Sequence, residues 1–175
     1  NGVSQPIRLL ANIETPRGLR LADGIASAHP RVAGLQLGLA DLFEPFGIDR
    51  RDPANVHAAL YAVRMAAAEA GVFAWDAAFA DIDEVEGFRA EAAMARRLGY
   101  VGKSCIHPKQ VALANAAFMP DAEAIESARR IVAAAREAGD AGRGAFIVDG
   151  RMVDLPFLKR AEAILAAVDS NASPS

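Results

Sequence analysis

Acidic residues follow three short apolar runs of the sequence, each at the point where a strand would end. Glu14 follows the run at residues 7–13, Asp41 follows the run at 32–39, and Asp76 follows VFAW. Neighbouring parallel strands lie about 4.8 Å apart, so Glu14 and Asp41 can reach a common point if their strands are adjacent. Two carboxylates, with water and substrate completing an octahedron, are a usual way to hold Mg²⁺. These residue types at this spacing indicate divalent-metal chemistry.

Each of these acids could instead cap the helix that follows it or interact with that helix's dipole. This alternative fits Asp76 best, as a plain cap or turn residue. It fits Glu14 poorly, because glutamate is not a favoured N-cap and Thr15 is available. It also fits Asp41 poorly, because a proline and a glycine follow it in segment 41–51, which we expect to be a loop.

The histidines and the single cysteine offer weaker candidates. Cys105 lies in an apolar run and is expected to be a packed, inert thiol. His107 precedes Pro108, which favours a structural position at a helix start over substrate binding. His29 and His57 are expected to be surface or interface groups. The sequence contains no Cys/His metal cluster, phosphate loop or GxGxxG turn.

Strands and helices alternate in the elements that would position these residues. Short apolar runs predict strands at residues 7–13, 32–39, 72–75 and 100–106. Start and stop signals predict helices at residues 16–28, 52–70, 81 or 83 to 98, 107–118 and 120–138. Strands alternating with helices indicate a parallel α/β sheet. About four such units make either a small open sheet or half of a (β/α)₈ barrel.

The end of the chain carries a different pattern. A strand-like run at 145–148 is followed by Asp149-Gly150, which predicts a hairpin turn. A last helix is then expected from Leu155 to about residue 168.

Composition excludes several classes of protein. The 175 residues are 53% hydrophobic and 23% charged, which is typical of a globular chain and not of a disordered one. The net charge of -3 argues against binding nucleic acid, which requires a basic face. A single cysteine excludes an internal disulfide framework, and no uncharged stretch is long enough to span a membrane. Without a signal peptide, we expect a cytoplasmic protein. The start at Asn1-Gly2 without methionine indicates a cut or processed chain, or an artificial end.

Four sequence blocks occur in an order that is specific for one family. They are LLANIETPRGL, GLQLGLADLFEPFGID, GYVGKSCIHPKQVALAN and IVDGRMVDLPFLKRA. From about residue 7 to 168 the chain resembles the citrate lyase β-subunit-like (HpcH/HpaI aldolase) family. That family also contains malyl-CoA, β-methylmalyl-CoA and citramalyl-CoA lyases.

The resemblance implies an α/β fold of the (β/α)₈ TIM-barrel family with a C-terminal extension. Residues 1–139 would be the C-terminal half of the barrel, 140–170 a hairpin-helix extension or lid, and 171–175 a tail. The first four βα units of the family are not in this sequence, so a longer polypeptide or another chain would supply them. In relatives the extension reaches over a neighbouring subunit's active site, which implies a homo-oligomer, a trimer or hexamer by analogy.

The resemblance also implies an activity. Glu14 and Asp41 match the family's Mg²⁺ ligands, and Asp154 matches its acid/base residue. The expected enzyme is a Mg²⁺-dependent carbon–carbon lyase. It would cleave a 3-hydroxyacyl-CoA thioester of the citramalyl-, malyl- or citryl-CoA type to acetyl-CoA and a 2-oxo acid. Backbone N–H groups around Leu39 and Ala40 could bind the substrate carboxylate.

Three points stay open from the sequence. The alternative function is a non-catalytic half-barrel fragment, or an assembly subunit that needs another chain to complete the site. The resemblance assigns no role to Lys103, His107 or Asp76. The apolar loop at residues 43–48 makes a methyl-branched acyl chain, as in citramalyl-CoA, a reasonable expectation.

Overall fold

Three parallel strands, in the order β1-β2-β3, form the sheet of the first part of the chain. They are β1 (Leu9–Ile13), β2 (Val32–Leu37) and β3 (Phe73–Trp75). Ile13 pairs with Leu37 in a parallel register, so the carboxyl ends of β1 and β2 meet at the same edge. The computed structural model describes residues 7–140 and 144–172, and within them the expected parallel α/β sheet is confirmed.

Helices connect these strands and continue after them. They are α1 (Pro16–Arg20), α2 (Ala22–Ser27), α3 (Leu39–Phe43), α4 (Pro53–Glu69), α5 (Val85–Arg97) and α6 (Pro108–Phe118). The single helix predicted at 16–28 is wrong, because the chain divides at Leu21 into α1 and α2. The start predicted for α4 is confirmed: Pro53 is its first residue, and the Asp52 side chain accepts a hydrogen bond from the Ala54 amide at 2.8 Å.

The core lies between one face of the sheet and the helices α2 and α4. Leu35 and Leu37 of β2 are fully buried there, as are Leu60, Val63 and Ala67 of α4. Their spacing along α4, at steps of three, four and seven residues, places them on one side of the helix. Burial of this apolar stripe is what holds the strand ends in place.

The loop predicted at 41–51 is wrong over its first half. Leu39, Leu42 and Phe43 are buried, and this spacing folds the segment as the helix α3. A 3-10 turn, Glu44–Phe46, follows and ends at Gly47 in the left-handed region at φ 65°. The loop is therefore limited to the residues between Gly47 and α4.

The strand predicted at 100–106 is also wrong, although the segment does lie beside β3, where the next parallel strand is expected. Asp76 and Lys103 form a single parallel bridge next to β3. The Asp76 amide donates to the Gly102 carbonyl at 2.8 Å, and the Ser104 amide donates to the Asp76 carbonyl at 3.1 Å. The Val101 amide also donates to the Ala74 carbonyl at 3.1 Å, but Gly102 within the segment weakens strand formation, and only Asp76 and Lys103 form a bridge.

A second compact unit begins at Met119 and is described by itself. It contains α7 (Ala122–Asp140), β4 (Phe146–Val148), β5 (Arg151–Val153) and α8 (Leu155–Ala172), with α7 packed on α8. Asp149 and Gly150 both have positive φ, 51° and 76°, as the predicted hairpin turn requires. The limits expected at residues 139 and 170 refer to a complete barrel and remain predictions. The expected tail extends beyond the described residues.

Across the described ranges, none of the helices combines the length and the hydrophobicity that crossing a membrane requires.

Candidate functional site

Glu14 lies directly after β1, at the edge where the strands end. Its side chain is half-buried, and one of its carboxylate oxygens accepts a hydrogen bond from the Asn12 side-chain amide. It packs over Gly38, where an added Cβ would be only 2.7 Å from the Glu14 Cβ. The Gly38 amide donates to the Ile13 carbonyl at 2.8 Å, which holds the two strand ends together. Glycine at position 38 therefore provides the room for the Glu14 side chain.

Asp41 lies in the first turn of α3, which begins directly after Gly38. The expectation that Asp41 has no helix to interact with is therefore wrong, because an acidic residue in a first turn interacts favourably with the helix dipole. The Asp41 side chain is exposed, and the buried Leu39 fixes the start of the helix beneath it. The predicted pair thus stands at the same edge of the sheet, with Glu14 after β1 and Asp41 after β2.

Few oxygen atoms that could bind a metal ion are available at this edge. Among the described residues, no group of three or more His, Cys, Asp or Glu side chains is arranged to hold a metal ion. Glu14 and Asp41 would supply two hard oxygen ligands, which matches the habit of Mg²⁺ to keep several waters. Metal binding by the pair stays a prediction.

A chain of buried charges lies beside the end of β3. Lys103 Nζ donates to Asp76 Oδ2 at 2.7 Å and to Glu91 Oε1 at 2.6 Å. The guanidinium of Arg50 holds the same Glu91 carboxylate through two hydrogen bonds, at 2.6 and 2.9 Å. The side chains of Lys103 and Asp76 are fully buried, and Glu91 and Arg50 are 8% and 19% exposed. We call these four residues the buried ion chain.

The two carboxylates of the buried ion chain have opposite pKa shifts. Burial raises the pKa of Asp76 to about 6, although Lys103 partly offsets that effect. Burial also acts to raise the pKa of Glu91, but the hydrogen bonds from Arg50 and the charge of Lys103 outweigh it, so that this pKa lies below its usual value. Glu91 has two cationic partners and Asp76 has one, which explains the difference.

The sequence did not predict the contacts that join the four residues of the buried ion chain. The cap or turn interpretation of Asp76 accounts only for Oδ1, which accepts from the Ala77 amide at 2.7 Å. A usable signal is present in α5, where Glu91 shares one helix face with the buried Phe88 and Ala95. A charge on an apolar helix face requires a buried partner. Arg50 carries no comparable signal in the sequence.

The structural interpretations of His107 and Cys105 agree with the structure. His107 Nδ1 accepts a hydrogen bond from the Lys109 amide at 3.2 Å, at the start of α6. Cys105 is half-buried, and burial raises the pKa of its thiol, which opposes formation of a reactive thiolate.

Asp154 belongs to the second unit, between β5 and α8. Its carbonyl accepts from the Leu158 amide at 3.1 Å, so it stands at the start of α8. Its Oδ1 atom is buried and has no hydrogen-bond partner among the described residues. A buried carboxylate oxygen without a partner is costly for folding alone, and the acid/base role of Asp154 stays a prediction.

A cleft of about 1220 Å³ is lined by segments that follow β2 and β3, and neither Glu14 nor Asp41 is among its lining residues. Its walls are the segment 44–53, the segment 78–84 and one side of α5. Ala40, the neighbour of Asp41 in the sequence, lines it too. Ligands of parallel α/β sheets bind outside the carboxyl ends of the strands, and this cleft has that position.

These features define an α/β protein whose acidic residues and cleft share the carboxyl edge of a parallel sheet. Residues 2–108 match the family described as HpcH/HpaI aldolase/citrate lyase. The chain belongs to that family, which confirms the family expected from the four sequence blocks.

Relatives with known names are similar over nearly the whole chain. The citrate lyase subunit beta of Haemophilus influenzae is 36% identical over 93% of this chain and 56% of its own length. The L-malyl-CoA/beta-methylmalyl-CoA lyase of Cereibacter sphaeroides is 35% identical over 94% of this chain and 57% of its own. The chain therefore spans little more than half the length of these relatives.

Solved structures are similar as well. The protein CitE of Mycobacterium tuberculosis, in complex with magnesium, acetoacetate and coenzyme A, is 35% identical with a TM-score of 0.75, covering 92% of this chain and 61% of that one. A citrate lyase of Burkholderia xenovorans, at 23% identity and a TM-score of 0.80, covers 99% of this chain and 56% of that one and shows the fold alone.

Proposed function

We propose that the complete protein is a Mg²⁺-dependent carbon–carbon lyase. It would cleave a 3-hydroxyacyl-CoA thioester of the citramalyl-, malyl- or citryl-CoA type to acetyl-CoA and a 2-oxo acid. The named relatives are lyases, and one similar structure holds magnesium and coenzyme A. The observation that carries the proposal is the placement of Glu14 over Gly38, with Asp41 in the helix that Gly38 begins.

The residues present fit a magnesium ion. Gly38 leaves open the space that a Cβ would fill beside the Glu14 carboxylate. Asn12 donates to that carboxylate and so orients it, as hydrogen bonds to a metal ligand commonly do. The bound ion would act as a Lewis acid on the carbonyl oxygen of the forming 2-oxo acid.

The other roles fall to this chain's own groups. As the C2–C3 bond breaks, the 3-hydroxyl would release its proton to water and become the carbonyl of the 2-oxo acid. The electron pair of that bond would pass to the thioester as an enolate, which takes up a proton at its α-carbon. Asp154, as the acid of this step, would deliver that proton and regain one from water, typically an effect of about 10²–10⁴ in rate. The backbone N–H groups of Leu39 and Ala40 would bind the substrate carboxylate.

The proposed whole molecule is a (β/α)₈ barrel with a lid. This chain would supply about four of its βα units and the hairpin-helix extension of the second unit. The complete protein would assemble as a trimer or hexamer in the cytoplasm. The similarity to solved structures over more than nine-tenths of this chain supports the barrel fold in this proposal.

A second candidate is a non-catalytic or assembly role, in which another chain completes the site. It is favoured by one observation: among the described residues, no group of three or more His, Cys, Asp or Glu side chains is arranged to hold a metal ion. Metal-dependent activity of the complete polypeptide separates the two candidates.

We expect Glu14→Gln and Asp41→Asn in the complete polypeptide each to lower Mg²⁺-dependent thioester cleavage at least 100-fold, because each removes an anionic ligand. Activity would be assayed on malyl-, citramalyl- and citryl-CoA with and without Mg²⁺, and Mg²⁺ binding by calorimetry. Asp23→Asn is the matched control, because Asp23 is an exposed acid in the first turn of α2 and loses the same helix-dipole interaction. Retained activity in both site variants would refute the metal assignment.

A further inference from the structure

The buried ion chain is neutral as a set. It contains two cations, Arg50 and Lys103, and two carboxylates, Asp76 and Glu91, joined by hydrogen bonds of 2.6 to 2.9 Å. Replacing such a buried set by well-packed apolar residues is often neutral or stabilising. Stability alone is therefore a weak reason for these four charges.

Arg50 and Glu91 are the members of the buried ion chain that reach the cleft. Asp76 and Lys103 are fully buried, whereas Arg50 and Glu91 line the cleft. Arg50 lies in the segment between Gly47 and α4, which forms one wall. Its two hydrogen bonds to Glu91 tie that wall to α5.

The same guanidinium contacts the opposite wall. It lies 6.0 Å from the centre of the Phe79 ring, in the segment that follows β3. Phe79 is itself fixed, because its carbonyl accepts from the side-chain amide of the buried Gln110 at 2.9 Å, and its ring packs edge-on against Phe88. The Arg50 side chain thus joins its own wall to α5, through Glu91, and to the segment 78–84, through Phe79.

The lining of the cleft indicates which part of a substrate it accepts. Apolar side chains, among them Ile48, Phe79 and Met94, line the cleft together with acids of both wall segments, such as Asp49 and Glu84, which outnumber its two arginines. The acids repel a phosphate-bearing tail, so the coenzyme's phosphates are not expected here. An uncharged, apolar branch of an acyl group fits this lining.

We infer that Arg50 is a positioning residue that sets the width of this cleft, and that the cleft receives the apolar branch of the acyl group. This inference rests on the proposed lyase function. Arg50 would thereby decide which acyl-CoA thioesters bind productively, without touching the reacting atoms.

Charge balance provides a way to separate positioning from stability. Arg50→Gln removes one cation and leaves an excess buried negative charge, so it should lower both Tm and activity. Arg50→Gln combined with Glu91→Gln leaves Lys103 and Asp76 as a balanced pair but removes the tether. The double variant should regain most of the Tm that the single variant loses.

The decisive readout is KM in the complete polypeptide. We expect the double variant to raise KM for a methyl-branched thioester at least tenfold, with kcat changed less than threefold and Mg²⁺ affinity unchanged. Arg50→Lys, which keeps the charge but not the two-pronged contact, should give an intermediate KM. Arg89→Gln is the control and should keep the wild-type KM, because the Arg89 side chain makes an exposed 2.8 Å pair with Glu86 on α5 and does not line the cleft.

Hydrogen exchange of the amides at 47–52 and 78–84 gives a readout that needs no activity. Faster exchange there in the double variant would support the tether even if the wild type cleaved no thioester. The absence of thioester cleavage would refute the lyase function and the acyl-branch assignment. An active wild type and a double variant with wild-type KM and unchanged exchange would overturn the inference. A KM restored together with Tm would show that the four charges act only through stability.

Discussion

At the scale of single residues, Asp76 and Glu91 share Lys103 but respond differently to burial. The pKa of Asp76 is raised to about 6 from 3.8, mainly by desolvation. Glu91 keeps a lowered pKa because Arg50 and Lys103 both stabilise its charge. Ionised Asp76 is therefore the costly member of the buried ion chain, and its cost depends on pH.

The sign of that dependence follows from linkage. An acid whose folded-state pKa is raised contributes stability below its unfolded pKa, and this contribution is lost as pH rises through the folded value. For Asp76 the loss covers the interval from about 4 to about 6. Glu91 acts in the opposite sense, but only below its unfolded pKa of 4.5.

We expect the stability of the wild type minus that of Asp76→Asn to fall by about 1 kcal/mol between pH 5 and pH 7. Urea unfolding at both pH values measures it, and taking the difference cancels the titration of the histidines. Asp23→Asn, at an exposed position, is the control for the loss of a carboxylate as such. A difference that rises with pH would mean that the pair with Lys103 dominates over desolvation.

At the scale of elements, the junction between β2 and α3 places both proposed ligands. Gly38 lies between β2 and α3, at the N-cap of α3, and accommodates the Glu14 side chain. Its φ of -104° is open to any residue, so the requirement for glycine is one of space and not of backbone conformation.

Gly38→Ala should therefore lower the affinity for Mg²⁺ at least tenfold. The added Cβ would lie 2.7 Å from the Glu14 Cβ, so the Glu14 side chain would have to move. Overpacking of this kind should also cost about 1–3 kcal/mol of stability. Calorimetry with Mg²⁺ and urea unfolding measure the two effects.

Gly24→Ala is the control for that variant. Nothing lies within 4 Å of a Cβ at Gly24, inside α2, so we expect unchanged Mg²⁺ affinity and about 0.5–1 kcal/mol of added stability. If both alanine variants bound Mg²⁺ like the wild type, Glu14 would not depend on the space at Gly38.

The elements also show what sequence can and cannot predict here. Apolar runs and cap residues were sufficient for β1, β2, the start of α4 and the Asp149-Gly150 hairpin, because local chemistry decides them. The helix α3 was missed because its five residues form only by burying Leu39, Leu42 and Phe43 in the core. The Arg50–Glu91 contact joins residues 41 positions apart, and no local pattern encodes such a partner.

At the scale of the whole molecule, the sheet packs one face on α2 and α4, and among the described residues of the first unit its other face keeps large apolar side chains exposed. Parallel sheets are normally buried on both faces. On the face opposite α2 and α4, Leu10 and Phe73 are 42% and 37% exposed. Phe73 and Trp75 lie over Gly34 and Gly102, where a Cβ would come within 2.4 Å of their rings. We expect a second layer to cover this face, supplied by the rest of a barrel or by another chain.

The placement of Asp154 in a separate unit raises the question of which subunit it serves. If the extension acts on a neighbour's site, a subunit lacking Asp41 can still supply Asp154 to a partner that keeps its metal ligands. We expect complete polypeptides carrying Asp41→Asn and Asp154→Asn, each nearly inactive alone, to recover activity when co-expressed as mixed oligomers. Random pairing makes about a quarter of the sites competent, because each needs one wild-type residue from each subunit.

The assay is thioester cleavage by oligomers purified through two different tags, one on each variant. Doubly tagged Asp41→Asn oligomers serve as the control and should stay inactive. Mixed oligomers that form but show no recovered activity would place the action of Asp154 within its own chain, because no polypeptide in the mixture then carries both residues.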